Sequence, residues 1–140
     1  MTITKTKNQL PWQIQTIIDQ AGGRGIHGAF GYIGAHQFGY MFNPDDPNFS
    51  MSKFEDGYIH YGCGLRFKPN GKKNWLMVIA LDADKDTYSV YLMAVGNIQT
   101  GCRSKLLDSM DDVYCDMLQD IVEKMYDGAI EKYCDGFIPC

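Results

Sequence analysis

Residues 65–95 read LRFKPNGKKNWLMVIALDADKDTYSVYLMAV, and their pattern decides the fold class. Leu65-Arg66-Phe67 leads into the turn-forming Pro69-Asn70-Gly71-Lys72, and Trp75 to Leu81 is apolar almost without a break. This predicts a hairpin whose second strand is buried on both faces. Asp82-Ala83-Asp84-Lys85-Asp86 turns the chain again. From Thr87 to Val95 the side chains alternate, with Tyr88, Val90, Leu92 and Ala94 on one face and Ser89, Tyr91, Met93 and Val95 on the other. Neighbouring strands joined by short turns form the centre of an antiparallel sheet.

Upstream, residues 1–10 read as a flexible polar arm. Leu10, Ile14, Ile17, Ile18 and Ala21 recur at helical spacing, Pro11 suits a first helical turn and Gly22-Gly23 a stop, so a helix is expected over 11–21. Ala29 to Phe42 reads as two short strands joined near Gly34-Ala35-His36. Asn43-Pro44-Asp45-Asp46-Pro47-Asn48 opens an inserted surface loop over 43–61, with a helical turn or a short strand left open near Gly57 to Tyr61. Downstream, Gly96 to Leu107 is looser. Ser109 with Asp112 then resembles a capping box, and Met110, Val113, Tyr114, Met117, Leu118, Ile121, Val122 and Met125 make one apolar helical stripe ending at Asp127-Gly128. Ala129 to Cys140 adds room for one more helical turn. The expectation is a single α+β domain over 11–140: a mostly antiparallel sheet of four or five strands, with an N-terminal helix and a long C-terminal helix packed on it.

Composition narrows the function classes. A chain of 140 residues, 45% hydrophobic and 21% charged, has the size and balance of one globular domain. A net charge of −4 argues against direct nucleic-acid binding and against an anionic membrane surface. The longest apolar run, Trp75 to Leu81, is far too short to span a bilayer. Cys63, Cys102, Cys115, Cys134 and Cys140 form no CxxC pair and follow no secretory signal, which fits reduced thiols and a cytoplasmic location.

The chemical motifs are incomplete. Gly23-Arg24-Gly25-Ile26-His27-Gly28 has the letters of a dinucleotide fingerprint, yet a helix precedes it and strands are expected after it, so it reads as a helix stop. Asp82, Asp84 and Asp86 begin like a calcium loop, but Thr87 stands where glycine is needed and Met93 where glutamate is needed. His27, His36 and His60 with the cysteines lack a second closely spaced ligand pair for zinc, and no cysteine sits in a catalytic signature. No cofactor, metal or enzymatic activity is therefore expected.

Distribution is more informative than totals. Residues 108–135 carry nine acids against Lys124 and Lys132, and Asp112, Asp116, Asp120, Glu123 and Asp127 recur at helical steps as an acidic stripe. Ten of the sixteen Phe and Tyr residues fall between Phe30 and Phe67. Four of them, Phe49, Phe54, Tyr58 and Tyr61, lie in the expected loop, where packing does not require them. The candidate partner-binding residues are these four aromatics with Asp112, Asp116, Asp120 and Glu123, and exposed aromatics are compatible with a homodimer.

Gly22-Gly23, Tyr32-Ile33-Gly34-Ala35 with Phe38, Leu65-Arg66-Phe67-Lys68, Asp86-Thr87-Tyr88 and Val113-Tyr114-Cys115-Asp116-Met117-Leu118 occur in an order that resembles a group of small bacteriophage- and plasmid-encoded proteins with no established activity. The chain departs from that group at His36-Gln37, at 43–61 and in the tail 129–140. The resemblance implies a mobile-element accessory protein in a host cytoplasm. Such a protein is expected to act without catalysis by binding a host protein or ribonucleoprotein complex, as a counter-defence inhibitor of the anti-CRISPR type. The alternative is a small-ligand or nucleotide binder that stacks its ligand on Tyr32, Tyr40, Phe49 or Tyr58, and a Cys/His enzyme through Cys63 and His60 ranks third.

Overall fold

The computed structural model describes residues 10–23, 25, 27–70, 74–97, 99 and 101–133. Its elements in order are α1 (Trp12–Gln20), α2 (Ala29–Ile33), β1 (His36–Phe42), β2 (Ser52–Glu55), β3 (Tyr58–Tyr61), β4 (Cys63–Lys68), β5 (Trp75–Asp82), β6 (Thr87–Ala94), β7 (Lys105–Val113), a 3₁₀ turn (Cys115–Met117) and α3 (Leu118–Lys132). Five strands form one antiparallel sheet in the order β1-β4-β5-β6-β7, and β2 with β3 forms a separate hairpin. The α+β class, the N-terminal helix and the C-terminal helix on the sheet are as the sequence pattern requires.

The centre follows from residues 75–94. Trp75, Met77 and Ile79 of β5 and Val90 and Leu92 of β6 fill one face, while Val78, Ala80 and Tyr91 are equally buried on the other. On the first face α1 packs over β4, and α3 packs over β6 and β7. Ile14, Ile17 and Ile18 of α1 and Leu118, Val122, Met125 and Ala129 of α3 supply the buried helical stripes. The Tyr88 hydroxyl donates to Gln20 Oε1 and ties the end of α1 to β6.

Three expectations need correction. First, Ala29–Ile33 is a helix, not a strand: Ala29, Phe30 and Ile33 bury one helical face, and Gly34 closes the turn in the left-handed region. Second, the expected loop over 43–61 contains the β2–β3 hairpin, built on a two-residue Asp56-Gly57 turn with both residues at positive φ (55° and 82°). That turn matches the twist of the flanking strands. The hairpin covers the sheet's second face, where Phe54, Ile59 and Tyr61 pack on Val78, Ala80 and Tyr91, and the Ser52 and Tyr91 hydroxyls hydrogen-bond at 2.7 Å.

Third, Ser109 does not cap a helix. Residues 105–113 are edge strand β7, with Ser109 opposite Tyr91, and Asp108 Oδ1 accepts from the Ser109 amide at 2.8 Å. Helix α3 starts only at Leu118 and runs through Gly128 to Lys132, because Ala129 and Ile130 still have core to cover. Pairing with β6 satisfies the inward-facing backbone groups of 105–113, and the strand brings Leu106 and Leu107 onto opposite faces of the sheet. Residues 1–9 of the expected arm over 1–10 and the final residues 134–140 lie outside the described residues. Leu10, placed at the end of that arm, is half-buried against the core.

Replacing Gly57 with valine forces a β-branched residue into the left-handed region and is expected to cost about 1–2 kcal/mol. Urea unfolding followed by fluorescence checks this, and an unchanged midpoint would contradict the tight Asp56-Gly57 turn.

Candidate functional site

The sheet is wider than its helical cover. Strand β1 lies beyond α1, and the gap between them is a groove of about 610 Å³ lined by Leu10, Ile14, Ile18, Phe30, Phe38, Tyr40 and Leu65, with Gly31, Gly34, Ala35 and Gly39 between the larger side chains. Local sequence explains its shape. Gln37, at φ 55°, and Phe38 together oppose the single residue Phe67, a β-bulge that places Phe38 on the core side. There Phe38 packs with Phe30 (centroids 5.2 Å, edge-to-face) and Phe67 (5.6 Å), and Phe30 meets Phe67 at 5.0 Å. Phe38 and Tyr40 remain 50% and 48% exposed at the groove's open side. No charged side chain lines the groove among the described residues. Its chemistry is desolvation of an apolar group, with the Tyr40 phenol as a polar handle.

The aromatic residues singled out by sequence are mostly structural. Phe49 packs edge-to-face on Phe42 at 5.7 Å, Phe54 is half-buried, and Tyr61 is only 8% exposed. Burial raises the Tyr61 phenol above its ordinary value. Of the four, only Tyr58, at 68% exposed, is offered to solvent. Sequence reasoning passed over Leu10, Ile14 and Phe38 as groove residues because their meeting depends on how far β1 extends past α1.

The acidic residues do not form one stripe. Asp112 stands on β7 at a second bulge (φ 57°) and pairs with Lys85 at 3.4 Å. Asp116 is in the 3₁₀ turn, while Asp120 and Glu123 are on α3. Asp120 pairs with Lys124 at 3.0 Å, and Glu123 accepts from Gln119 at 3.1 Å. Tyr32 of α2 donates to both oxygens of Asp127 (2.8 and 3.0 Å), which raises the Tyr32 phenol by stabilising its protonated form.

Asp112 instead joins a cleft of about 300 Å³ with Asp82, Asp84, Asp111, Lys85, Ser50, Ser52 and Ser89. Lys85 lies 3.9 Å from Asp82 and its ammonium is held charged chiefly by Asp112. Among the described residues no group of three or more His, Cys, Asp or Glu is placed to hold a metal ion. In the glycine-rich 23–28 segment, Gly22 and Gly23 stop α1 at positive φ, and the short helix α2 follows where strands were expected. Arg24 and Ile26 lie outside the described residues. No helix among the described residues is long and apolar enough to cross a membrane.

Cys63 is buried at the base of β4, and burial pushes its thiol from the ordinary 9.0 to about 11. Cys115 is exposed and free, whereas Cys102 is disulfide-bonded, so the reading of five reduced thiols does not hold for Cys102. His60 bonds to the Glu55 carbonyl at 3.2 Å within its own hairpin.

Comparison with protein-family models, with curated proteins and with solved structures found no match to this chain.

Burial holds Cys63 protonated up to about pH 11 and Tyr88, raised by burial, up to about pH 12. The folded state therefore keeps these protons longer than the unfolded chain does. Stability should be level below pH 9.0 and fall as pH rises through 9.0 to 11 for Cys63 and through 10.0 to 12 for Tyr88. Chemical unfolding across that range should show the earlier fall disappear in Cys63→Ala. Alkylation at neutral pH should modify Cys115 and spare Cys63, and fast modification of Cys63 in the folded protein would contradict its burial.

Proposed function

We propose that this protein works by stoichiometric, non-covalent binding and that the groove between α1 and β1 receives an apolar group of its target. The observation that carries this reading is the groove itself: about 610 Å³ of open, uncharged, aromatic-walled space beside the buried core. Water in such a groove is released on binding, which is the main favourable term available there. The exposed acids Asp116 and Asp120, with the half-buried Glu123, supply a second, polar surface for orientation and encounter rate.

The setting we propose is that of a mobile-element accessory protein in the host cytoplasm. Its target would be a host protein or ribonucleoprotein complex, with counter-defence inhibition as the outcome. The resemblance to small phage- and plasmid-encoded proteins supports that setting. A second reading, a small apolar or aromatic ligand, is favoured by the groove volume, which falls within the usual range of small-molecule sites.

Leu10→Asp tests the groove at a half-buried position. Tagged wild-type chain should retain a host protein that Leu10→Asp, folded by circular dichroism, retains roughly tenfold or more weakly, about 1.4 kcal/mol. The same variant should lose the fluorescence gain of an apolar naphthalene-sulfonate dye. If Asp120→Lys/Glu123→Lys abolishes capture while Leu10→Asp does not, the binding surface is the α3 face and the groove reading fails.

A further inference from the structure

The sheet's two edges are built differently. β7, KLLDSMDDV, carries Lys105, Asp108, Asp111 and Asp112 and two register irregularities. Charges and bulges of this kind block edge-to-edge pairing. β1, HQFGYMF, carries no Lys, Arg, Asp or Glu. Its single bulge lies at its start, leaving Gly39–Phe42 in regular register with β4. Among the described residues β1 pairs with β4 alone.

Backbone alternation then fixes what this edge offers. The Asn43 amide donates to the Gly62 carbonyl at 3.0 Å, so Asn43 faces β4, and Met41 and Gly39 do the same at two-residue steps. The N–H and C=O groups of Tyr40 and Phe42 face the opposite way, out of the sheet. A second extended strand can pair with the whole row at once, where water otherwise hydrates it. On the core side of this edge stand Phe38 and Tyr40, both half-exposed, and on the other side Met41, 41% exposed.

We infer that the edge is covered by a second copy of this chain, β1 pairing antiparallel with the β1 of its partner. The tract is uncharged, so two copies meet without like-charge repulsion, and residues at even steps from Tyr40 stay on one face in both. The contact is isologous and closes on itself, whereas β1 against the charged, bulged β7 of another copy would propagate without closure. The two-fold axis runs perpendicular to the joined sheet, which keeps the helices of both copies on one side. Each groove, open at its β1 side, then faces the other across the axis. Phe38 and Tyr40 of the two copies form a common floor between the two α1 walls. The pairing stands independently of what the groove binds; that the joined trough is one shared binding site rests on the reading above.

Light scattering after size exclusion tests the pairing on the full chain. Wild type should elute at twice the 15.8 kDa of one chain. Tyr40→Lys and Tyr40→Glu should each run as monomers with circular dichroism and melting temperature near wild type, and an equimolar mixture of the two should recover the dimer. A wild-type monomer overturns the proposal, whether the edge is left to residues before Leu10 or to a foreign chain, and so does a Tyr40→Lys chain that stays dimeric. If both Tyr40 variants misfold, Tyr40→Pro replaces them, since the Tyr40 amide makes no bond to β4; a folded dimer of it would equally refute the pairing. For the shared trough, the Tyr40→Lys monomer should lose naphthalene-sulfonate binding while the Leu10→Asp chain loses it as a dimer. Unchanged dye binding by Leu10→Asp would sink the groove reading and leave the pairing intact.

Discussion

Two neighbouring strands that are apolar on both faces constrain everything else in this fold. β5 and β6 bury Trp75, Met77, Ile79, Val90 and Leu92 on one side and Val78, Ala80 and Tyr91 on the other. A sheet of this composition is stable only if it is covered twice, because either face left in water would forfeit about 25 cal/mol for each Å² of apolar surface. The chain meets the requirement with unequal covers. Two helices of 9 and 15 residues, joined by the short α2, serve the first face, and a hairpin of two four-residue strands serves the second. Over β1 the first cover is incomplete: Phe30 of α2 packs on Phe38, but α1 stops short and leaves a groove.

That shortfall links the fold to its proposed use. A closed core would have required α1 to sit one strand further out, over Phe38 and Tyr40. Instead α1 is held over β4, with the Tyr88 hydroxyl bonded to Gln20, and Phe38 and Tyr40 of β1 are left at the wall of an open groove. The bulge at Gln37 makes the arrangement possible by turning Phe38 toward Phe30 and Phe67 at the cost of one residue in the left-handed region. Groove and uncharged edge thus have a common origin in a sheet one strand wider than its helices.

Much of this was legible in the sequence, for definite reasons. The unbroken apolar run of 75–81 announces two-sided burial, and Ile14, Ile17 and Ile18 announce one helical face. Residues 105–118 misled because Met110, Val113, Tyr114, Met117 and Leu118 keep helical spacing across the junction of an edge strand and a helix. Only pairing with β6, a contact between distant residues, decides between the two. The Asp56-Gly57 turn was readable in principle, but the glycines and acids around it blended into the expected loop. With that hairpin unread, Phe49, Phe54 and Tyr61 looked like surplus aromatics, whereas Phe54 and Tyr61 cover the second face and Phe49 packs beside Phe42 against the first. The groove could not be read at all, since it is a distance between two elements.

The amide exchange of β1 in the isolated protein tests the central claim most directly. Gly39 and Met41 face β4 and should exchange slowly in any case. If β1 is the working edge and a second copy covers it, the outward amides of Tyr40 and Phe42 should be slowed as well, and more so as protein concentration rises. Tyr40 and Phe42 exchanging at the rate of an open peptide at every concentration, beside protected Gly39 and Met41, would contradict the account.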